Sequence, residues 1–412
     1  MASNPIYLDH NSTTPVDPLV LESMLPFLQG TFGNASSLHL FGAAAKQGID
    51  DAREIVARYL GCDTEEVIFT SGATESDNHV LRGVADAFKG KKNHIITSAI
   101  EHPAILTTAK LLKKAGCAVT FIRVSKDGVV DPEEVKAAIN EKTMLISIMY
   151  ANNEIGTLQP IVDIGRIAKE KGVLFHTDAV QAAGKVSVNV DELGVDFMSL
   201  SGHKIYGPKG TGVLYIRKKS KIQPLVTGGH HEFGKRAGTE NVSGIVGFGR
   251  AFELAHQRMA VDNPRIAELR DYLQQRLLET IPHLYMTSMT APRNSNTLHV
   301  LVHFIEGEGL LLKLSINHQI GISTGSACTS GSLEPSHVLE AMGISKQLGN
   351  SGIRLSLGRG NTKEEMDRTA EAMSKEIATL RSMSPLYDSF TRGRMSEADR
   401  NIYETWVTPQ PK

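Results

Sequence analysis

The chain has 412 residues, 41% of them hydrophobic and 22% charged, with 44 Lys+Arg against 45 Asp+Glu. That length calls for a large domain plus a smaller one, and the balanced charge speaks against nucleic acid as a partner. Three cysteines without CxxC spacing exclude a disulfide framework or zinc finger; with no secretory pattern at Met1–Pro15 and no apolar run of roughly 18–20 residues, a cytoplasmic protein without membrane association is expected.

In chain order, Val67–Thr70 reads as a strand, and the residues from Glu75 carry Val80, Val84 and Phe88 at helical spacing. Further short strands are expected at 94–97, 119–123, 145–149, 173–176, 197–200 and 213–216, with a helix over Ile161–Lys171 stopped by Gly172. This alternation predicts an α/β fold whose seven-stranded, mostly parallel sheet is covered by helices on both faces. The pattern then changes. Arg265–Glu279 reads as a helix, followed by a strand over 296–304, a helix around 309–314, a Gly/Ser/Thr loop at 321–332, a strand at 352–357 and a charged helix at 363–381. The expected division is a large domain at 15–264, a small α+β domain from 1–14 and 265–384 that carries the Cys328 loop, and a C-terminal tail at 385–412 read as a loosely held extension.

Sites in such sheets lie beyond the carboxyl ends of strands. There the sequence places Ser71–Thr74, Glu101-His102, Asn152–Glu154, Asp178 with Gln181, and Ser201–Lys204, each after a different strand. A lysine held for a Schiff base and an acid facing a pyridinium nitrogen are what pyridoxal phosphate (PLP) requires, which points to Lys204 and Asp178. Ser71–Thr74 offers N–H groups at a helix start for a phosphate, Ser201 and His203 could add donors, and His102 could stack on a ring and move protons. Taken singly, each has a plainer reading: a surface lysine, a helix cap at Asp178 or Ser71–Glu75, a turn at His102-Pro103. Their joint placement favours the functional one. Arg354, on an apolar strand, is either half of a structural ion pair or a clamp for a carboxylate. Cys62 and Cys117 read as small buried hydrophobes, whereas Cys328 sits among Gly, Ser and Thr, where an exposed thiol can approach a cofactor and withdraw. His230 and His231 lack the spacing of a metal site.

The motifs TSGATESDN at 70–78, EHPA at 101–104, ANNEIGT at 151–157, HTDAVQ at 176–181, SGHKIYGPKG at 201–210, RAGTEN at 236–241 and SGSACTSGSLEPSHV after Thr324 resemble those of class V, fold-type I PLP enzymes, and within them the NifS/IscS-type cysteine desulfurases. The resemblance runs from Tyr7 to about Leu386. It implies that Lys204 carries PLP covalently, Asp178 pairs with the ring nitrogen and Gln181 with the ring oxygen. It places Ala73, Thr74, Ser201 and His203 around the phosphate, with Thr239 reaching the phosphate of the other subunit of a homodimer. Asn153 and Arg354 then hold the carboxylate of L-cysteine, His102 stacks on the ring, and Cys328 is the nucleophile that takes the sulfur. The same cysteine is implied as a transient ligand of a 2Fe–2S cluster, and an iron–sulfur scaffold or another acceptor as the partner. Three departures stand out: Asn350 occupies a position where the family often has histidine, His10-Asn11-Ser12 replaces a small-residue variant, and the tail after Asp388 does not resemble the docking tail of the housekeeping enzymes. Rival readings are a selenocysteine lyase, a class V transaminase and a scaffold without activity; the thiol loop argues against the second and the intact Lys204, Asp178, His102 and Cys328 set against the third.

Overall fold

The computed structural model of the protein describes residues 4–324 and 336–410. Its strands are β1 (Ile6–Tyr7), β2 (Val67–Thr70), β3 (His94–Ser98), β4 (Ala118–Ile122), β5 (Thr143–Ser147), β6 (Leu174–Asp178), β7 (Phe197–Ser201), β8 (Gly212–Ile216), β9 (Leu284–Met286), β10 (Thr297–Val302), β11 (Ile320–Gly321) and β12 (Gly352–Ser356). Seven of them form the main sheet in the order β2-β8-β7-β6-β5-β3-β4. All of its pairings are parallel except those of β8, which runs antiparallel to both neighbours. The expected seven-stranded α/β sheet is therefore present, with strand ends shifted by one or two residues.

Successive residues of these strands enter two different cores. Phe69, Ile96, Ile146 and Met198 pack into one apolar cluster with Ile49 and Val56 of the helix Leu40–Leu60 and Phe248 and Phe252 of the helix Val242–Thr280. Their neighbours Ile68, Ile95, Leu145 and Phe197 pack on the opposite face against Val80, Val84 and Ile105 of the helices Ala73–Ala87 and Pro103–Lys114. A strand buried on both faces has no polar alternation, which is why these segments read as continuous apolar runs.

A second sheet, β12-β10-β9, is antiparallel and packs Leu298, Val300 and Leu355 against Met366, Met373 and Ile377 of the helix Lys363–Ser382. That helix begins with a capping box of Thr362 and Glu365. The helix expected at 265–279 is the second part of one helix, Val242–Thr280, which runs through Pro264. The small two-stranded pairing of β1 with β11 brings the N-terminal segment alongside these elements.

One expectation is overturned. The tail is not loosely held: Pro385–Thr391 and Glu397–Thr405 are helices, and Leu386, Tyr387, Phe390, Tyr403 and Trp406 join a core with Leu301, Phe304 and Met342. Thr408 continues the contact, its N–H donating to Leu284 O at 2.8 Å and its hydroxyl accepting from Met286 N–H at 2.8 Å. The aromatic residues are spread among charged ones, so the segment looks polar in sequence although its apolar side chains gather on one side. No helix among the described residues is long and apolar enough to cross a membrane.

Candidate active site

The carboxyl ends of β3, β5, β6 and β7 open into a cavity of about 480 Å³. Ala73, Thr74, His102, Asn153, Asp178, Gln181, Ser201, His203, Lys204 and Arg354 all line it. Thr239 does not; it is exposed on the chain surface. Cys328 lies outside the described residues, but both flanks of its segment are fixed at the cavity wall. Before it, Ser323 and Arg354 exchange backbone hydrogen bonds of 3.1 and 2.7 Å. After it, the Ser336 hydroxyl donates to the buried Glu154 carboxylate, next in sequence to Asn153.

At one end of the cavity the helix Ala73–Ala87 starts at Gly72, whose φ of 149° favours glycine and which supplies no side-chain cap. The first N–H groups of such a helix point outward without intrahelical acceptors, and the helix dipole adds positive potential there. The neighbouring strand must come close: a Cβ on Gly212 would lie 2.7 Å from Gly72 Cα and 2.6 Å from Leu200 O. Lys209 and His203 also face this end. Burial, then the charges of Lys204 and Lys209, push His203 down to about 4, so its ring is neutral at pH 7. Arg236 of the RAGTEN motif ties the loop in place by pairing with Glu75 at 2.9 Å, and the Ser71 N–H donates to the same carboxylate.

In the middle, Lys204 leaves β7 on a short 3-10 turn and its Nζ donates to the carbonyls of Asn11 and Ser12, each at 2.6 Å. Asp178 ends β6 and accepts from Val180 N–H at 3.0 Å. Burial raises its pKa, outweighing the opposing pull of His102 and Lys204. A buried carboxylate in this state is stabilised by a cationic N–H partner. His102 caps the helix Pro103–Lys114, its Nδ1 accepting from Ala104 N–H at 3.1 Å. The acceptor role at Nδ1 leaves the proton on Nε2, and burial keeps the ring's pKa low. Glu101 pins two strand ends together, both oxygens accepting from Met149 N–H at 3.0 Å, and burial pushes it up to about 8.

Arg354 is buried, makes the ion pair its sequence context offered and lines the cavity. Its Nη2 pairs with Asp9 at 2.8 Å and meets Ser12 Oγ at 2.8 Å, its Nη1 donates to Asn153 O at 2.9 Å, and its Nε–H makes no hydrogen bond among the described residues. The guanidinium is thus both ion-paired and presented to the cavity.

Four residues were missed by sequence reasoning. The carbonyls of Asn11 and Ser12 hold Lys204, and the Asn11 side chain donates to Asn153 O and Thr297 Oγ1. Asp77 lines the cavity with both oxygens buried and without a hydrogen bond among the described residues, His176 Nε2 lying 3.6 Å from its Oδ1. Its position four residues after Ala73, on the same helix face, was the available signal. Lys185 contacts Gln181 from behind. Asn350 is exposed and outside the cavity lining. Cys62 and Cys117 are half-buried and pack on the two faces of the main sheet; burial pushes Cys62 up to about 12 and also raises Cys117, which makes both poor nucleophiles.

The residues present fit PLP. A lysine, a buried carboxylate seeking a cation, a helix N-terminus with close glycines and a neutral histidine surround one volume, and that is the donor set of a phosphorylated pyridine aldehyde.

Comparison with known proteins agrees. The aminotransferase class-V family model matches residues 6–369. The chain is 48% identical over 380 residues to a protein of Dictyoglomus turgidum named cysteine desulfurase IscS, covering 92% of this chain and 96% of that one. Among solved structures it is similar to a NifS-like protein (TM-score 0.86, 40% identity, 92% of this chain and 100% of that chain). It is also similar to SspA in complex with cysteine (TM-score 0.77, 36% identity, 87% of this chain and 100% of that chain). The chain belongs to the class-V aminotransferase family, among its NifS/IscS-type cysteine desulfurases.

Proposed function

We propose that this protein takes sulfur from L-cysteine, releases L-alanine and keeps the sulfur as a persulfide on Cys328 for iron–sulfur cluster assembly. The observation that carries this reading is the convergence of Lys204, Asp178, His102 and Arg354 on one cavity whose wall also anchors both flanks of the Cys328 segment.

PLP held there supplies an electron sink for the pair released at the substrate Cα. Lys204 would hold it and would move the proton at the substrate Cα. Asp178 would keep the ring nitrogen protonated, and Gln181 would donate from Nε2 to the ring oxygen. Ala73, Thr74, Ser201 and His203 would hold the phosphate, with Thr239 of a second copy completing the cradle. His102 would lie against the ring and exchange its proton at Nε2. Asn153 and Arg354 would fix the substrate carboxylate. The Cys328 thiolate, having given up its proton, then bonds to the substrate sulfur as the bond between that sulfur and Cβ breaks, and one proton delivered to Cβ and the abstracted proton returned to Cα complete alanine.

A homodimer fits this scheme. Leu28, Phe32, Leu38, Leu40 and Phe41 are exposed large apolar side chains within one short stretch, more than a solvated surface usually carries. Thr239 is exposed and apart from its own chain's cavity, as a residue acting across a subunit boundary must be. We place the acceptor as an iron–sulfur scaffold or another thiol protein, Cys328 as a transient ligand of a 2Fe–2S cluster, and the protein in the cytoplasm, where thiols stay reduced.

The test is incubation with L-cysteine and a thiol reductant, with sulfide and alanine measured together. Equal yields from the wild type and loss of sulfide in Cys328→Ala support the reading. Turnover without alanine, or a fully active Cys328→Ala, overturns it; release of selenide alone from selenocysteine would move the assignment to a selenocysteine lyase.

A further inference from the structure

Gln181 carries an orientation problem. A glutamine amide presents an acceptor on one side and donors on the other, and the two ends are nearly the same shape. Only one of the two orientations offers Nε2–H to the cavity. Two contacts select it. Nε2 donates to the carbonyl of Asn11 at 3.0 Å, a group that can only accept. Oε1 faces the Lys185 ammonium at 3.4 Å, a group that can only donate. In the flipped amide both contacts would set like against like. Lys185 Nζ also donates to Gln181 O at 3.1 Å, although that carbonyl already accepts from Asn294 Nδ2 at 2.8 Å. The backbone carbonyl is therefore satisfied without the lysine, and the side-chain amide is what the ammonium adds.

Lys185 itself is held in place. Its carbonyl accepts from Asn263 Nδ2 at 2.8 Å. Its side chain lies in a small second cavity that shares Lys204, His10, Asp262 and Arg359 with it. The one carboxylate there, Asp262, is paired with Arg359 at 2.8 Å, which leaves the amide as the neighbour of the ammonium. Burial, then the charge of Lys204, pulls Lys185 down to about 7, as expected of a lysine placed without an anion.

We propose that Lys185 is a positioning residue that locks the Gln181 amide with Nε2–H toward the PLP ring oxygen, acting on the cofactor only through Gln181. This rests on the PLP reading above. The experiment follows the pH midpoint of the long-wavelength absorbance of the PLP-loaded protein, without substrate, in the wild type, Lys185→Met, Lys185→Arg, Gln181→Leu and the Lys185→Met/Gln181→Leu double variant. Loss of the oriented donor weakens stabilisation of the ring oxyanion, so Lys185→Met and Gln181→Leu each raise the proton affinity of the chromophore by about tenfold. The double variant shifts no further than Gln181→Leu alone, because one path is shared. Lys185→Arg stays near the wild type. An unshifted Lys185→Met midpoint, or shifts that add in full in the double variant, would overturn the proposal while leaving the desulfurase reading intact. A wild type that binds no PLP would overturn both.

Discussion

His176 shows how a single buried group couples the site to pH. Its ring bridges Ser147 Oγ at 2.8 Å and Ser199 Oγ at 3.0 Å beneath the cavity floor, and burial pushes it down to about 3. In the unfolded chain a histidine titrates near 6.5. Between these values the unfolded state binds a proton that the folded state refuses, so the stability His176 contributes is complete above about 6.5 and is lost as pH falls toward 3. His176→Gln should therefore be less stable than the wild type at pH 7, and the gap should close by about 1.4 kcal/mol per pH unit between pH 6 and pH 4. Urea midpoints at three pH values check this, and a constant gap would refute it. Asn11 poses the converse case. Its side chain joins Asn153, Thr297 and Asn296, residues more than a hundred positions away, in a largely buried network. Nothing local in His10-Asn11-Ser12 announces that partnership, whereas Asp178 and Lys204 were legible because the first ends a strand and the second follows one by three residues. Asn11→Leu removes three hydrogen bonds, although Asn153 O, Thr297 Oγ1 and Asn296 Nδ2 each keep another partner, and should cost about 2–4 kcal/mol of stability, read as a lower thermal midpoint; a change under about 0.5 kcal/mol would mean the network rearranges freely.

Among the elements, the β2–β8–β7 edge decides how closely the phosphate end can be approached. Gly212 pairs with Thr70 on one side and Ser201 on the other, so it sits between the helix start at Gly72 and a cavity-lining hydroxyl. No residue with a Cβ fits there without moving Leu200 O or Gly72. Gly212→Ala should displace the Gly72 turn at a cost of about 1–3 kcal/mol, and equilibrium dialysis should show PLP affinity reduced by tenfold or more. Wild-type affinity in this variant would mean that the turn is not part of the cradle. The elements of this sheet were readable in advance because strands buried on both faces leave unbroken apolar runs, and Gly172, with φ of 62°, ends its helix where the sequence indicated. The helix Val242–Thr280 was only half recognised: its first part is rich in small residues, and Gly247 and Gly249 face Met24 and Ala52 at distances that only glycine allows. Such close helix packing depends on partners from distant segments, so no single-segment periodicity reveals it.

At the level of the whole molecule, the C-terminal segment closes the second sheet and its neighbouring core. Trp406, the chain's one tryptophan, lies edge-on to Tyr285 of β9 at 5.1 Å, and Tyr403 packs on Phe304 at 4.5 Å. Thr408 adds one backbone and one hydroxyl hydrogen bond to the edge of β9, so side chains and main chain hold the segment together. Aromatic pairs of this kind add about 0.5–1.5 kcal/mol each beyond the area they bury, which places the segment within the cooperative unit rather than outside it. The core it completes also contains Met149 and Ile100, which flank the strand ends that carry Glu101, His102 and Asn153. Undocking the tail would thus loosen the wall of the cavity as well as the second sheet. Trp406 reports on this directly: its emission during urea unfolding should change in the same transition as the far-ultraviolet circular dichroism of the entire chain. A tryptophan transition completed at lower urea, with the circular dichroism unchanged, would show that the tail unfolds alone and that the cavity wall does not depend on it. If the transitions coincide, Trp406→Ala should lower the common midpoint by the equivalent of about 3–5 kcal/mol, the range for emptying a buried aromatic site, and should weaken PLP retention although Trp406 does not itself line the cavity.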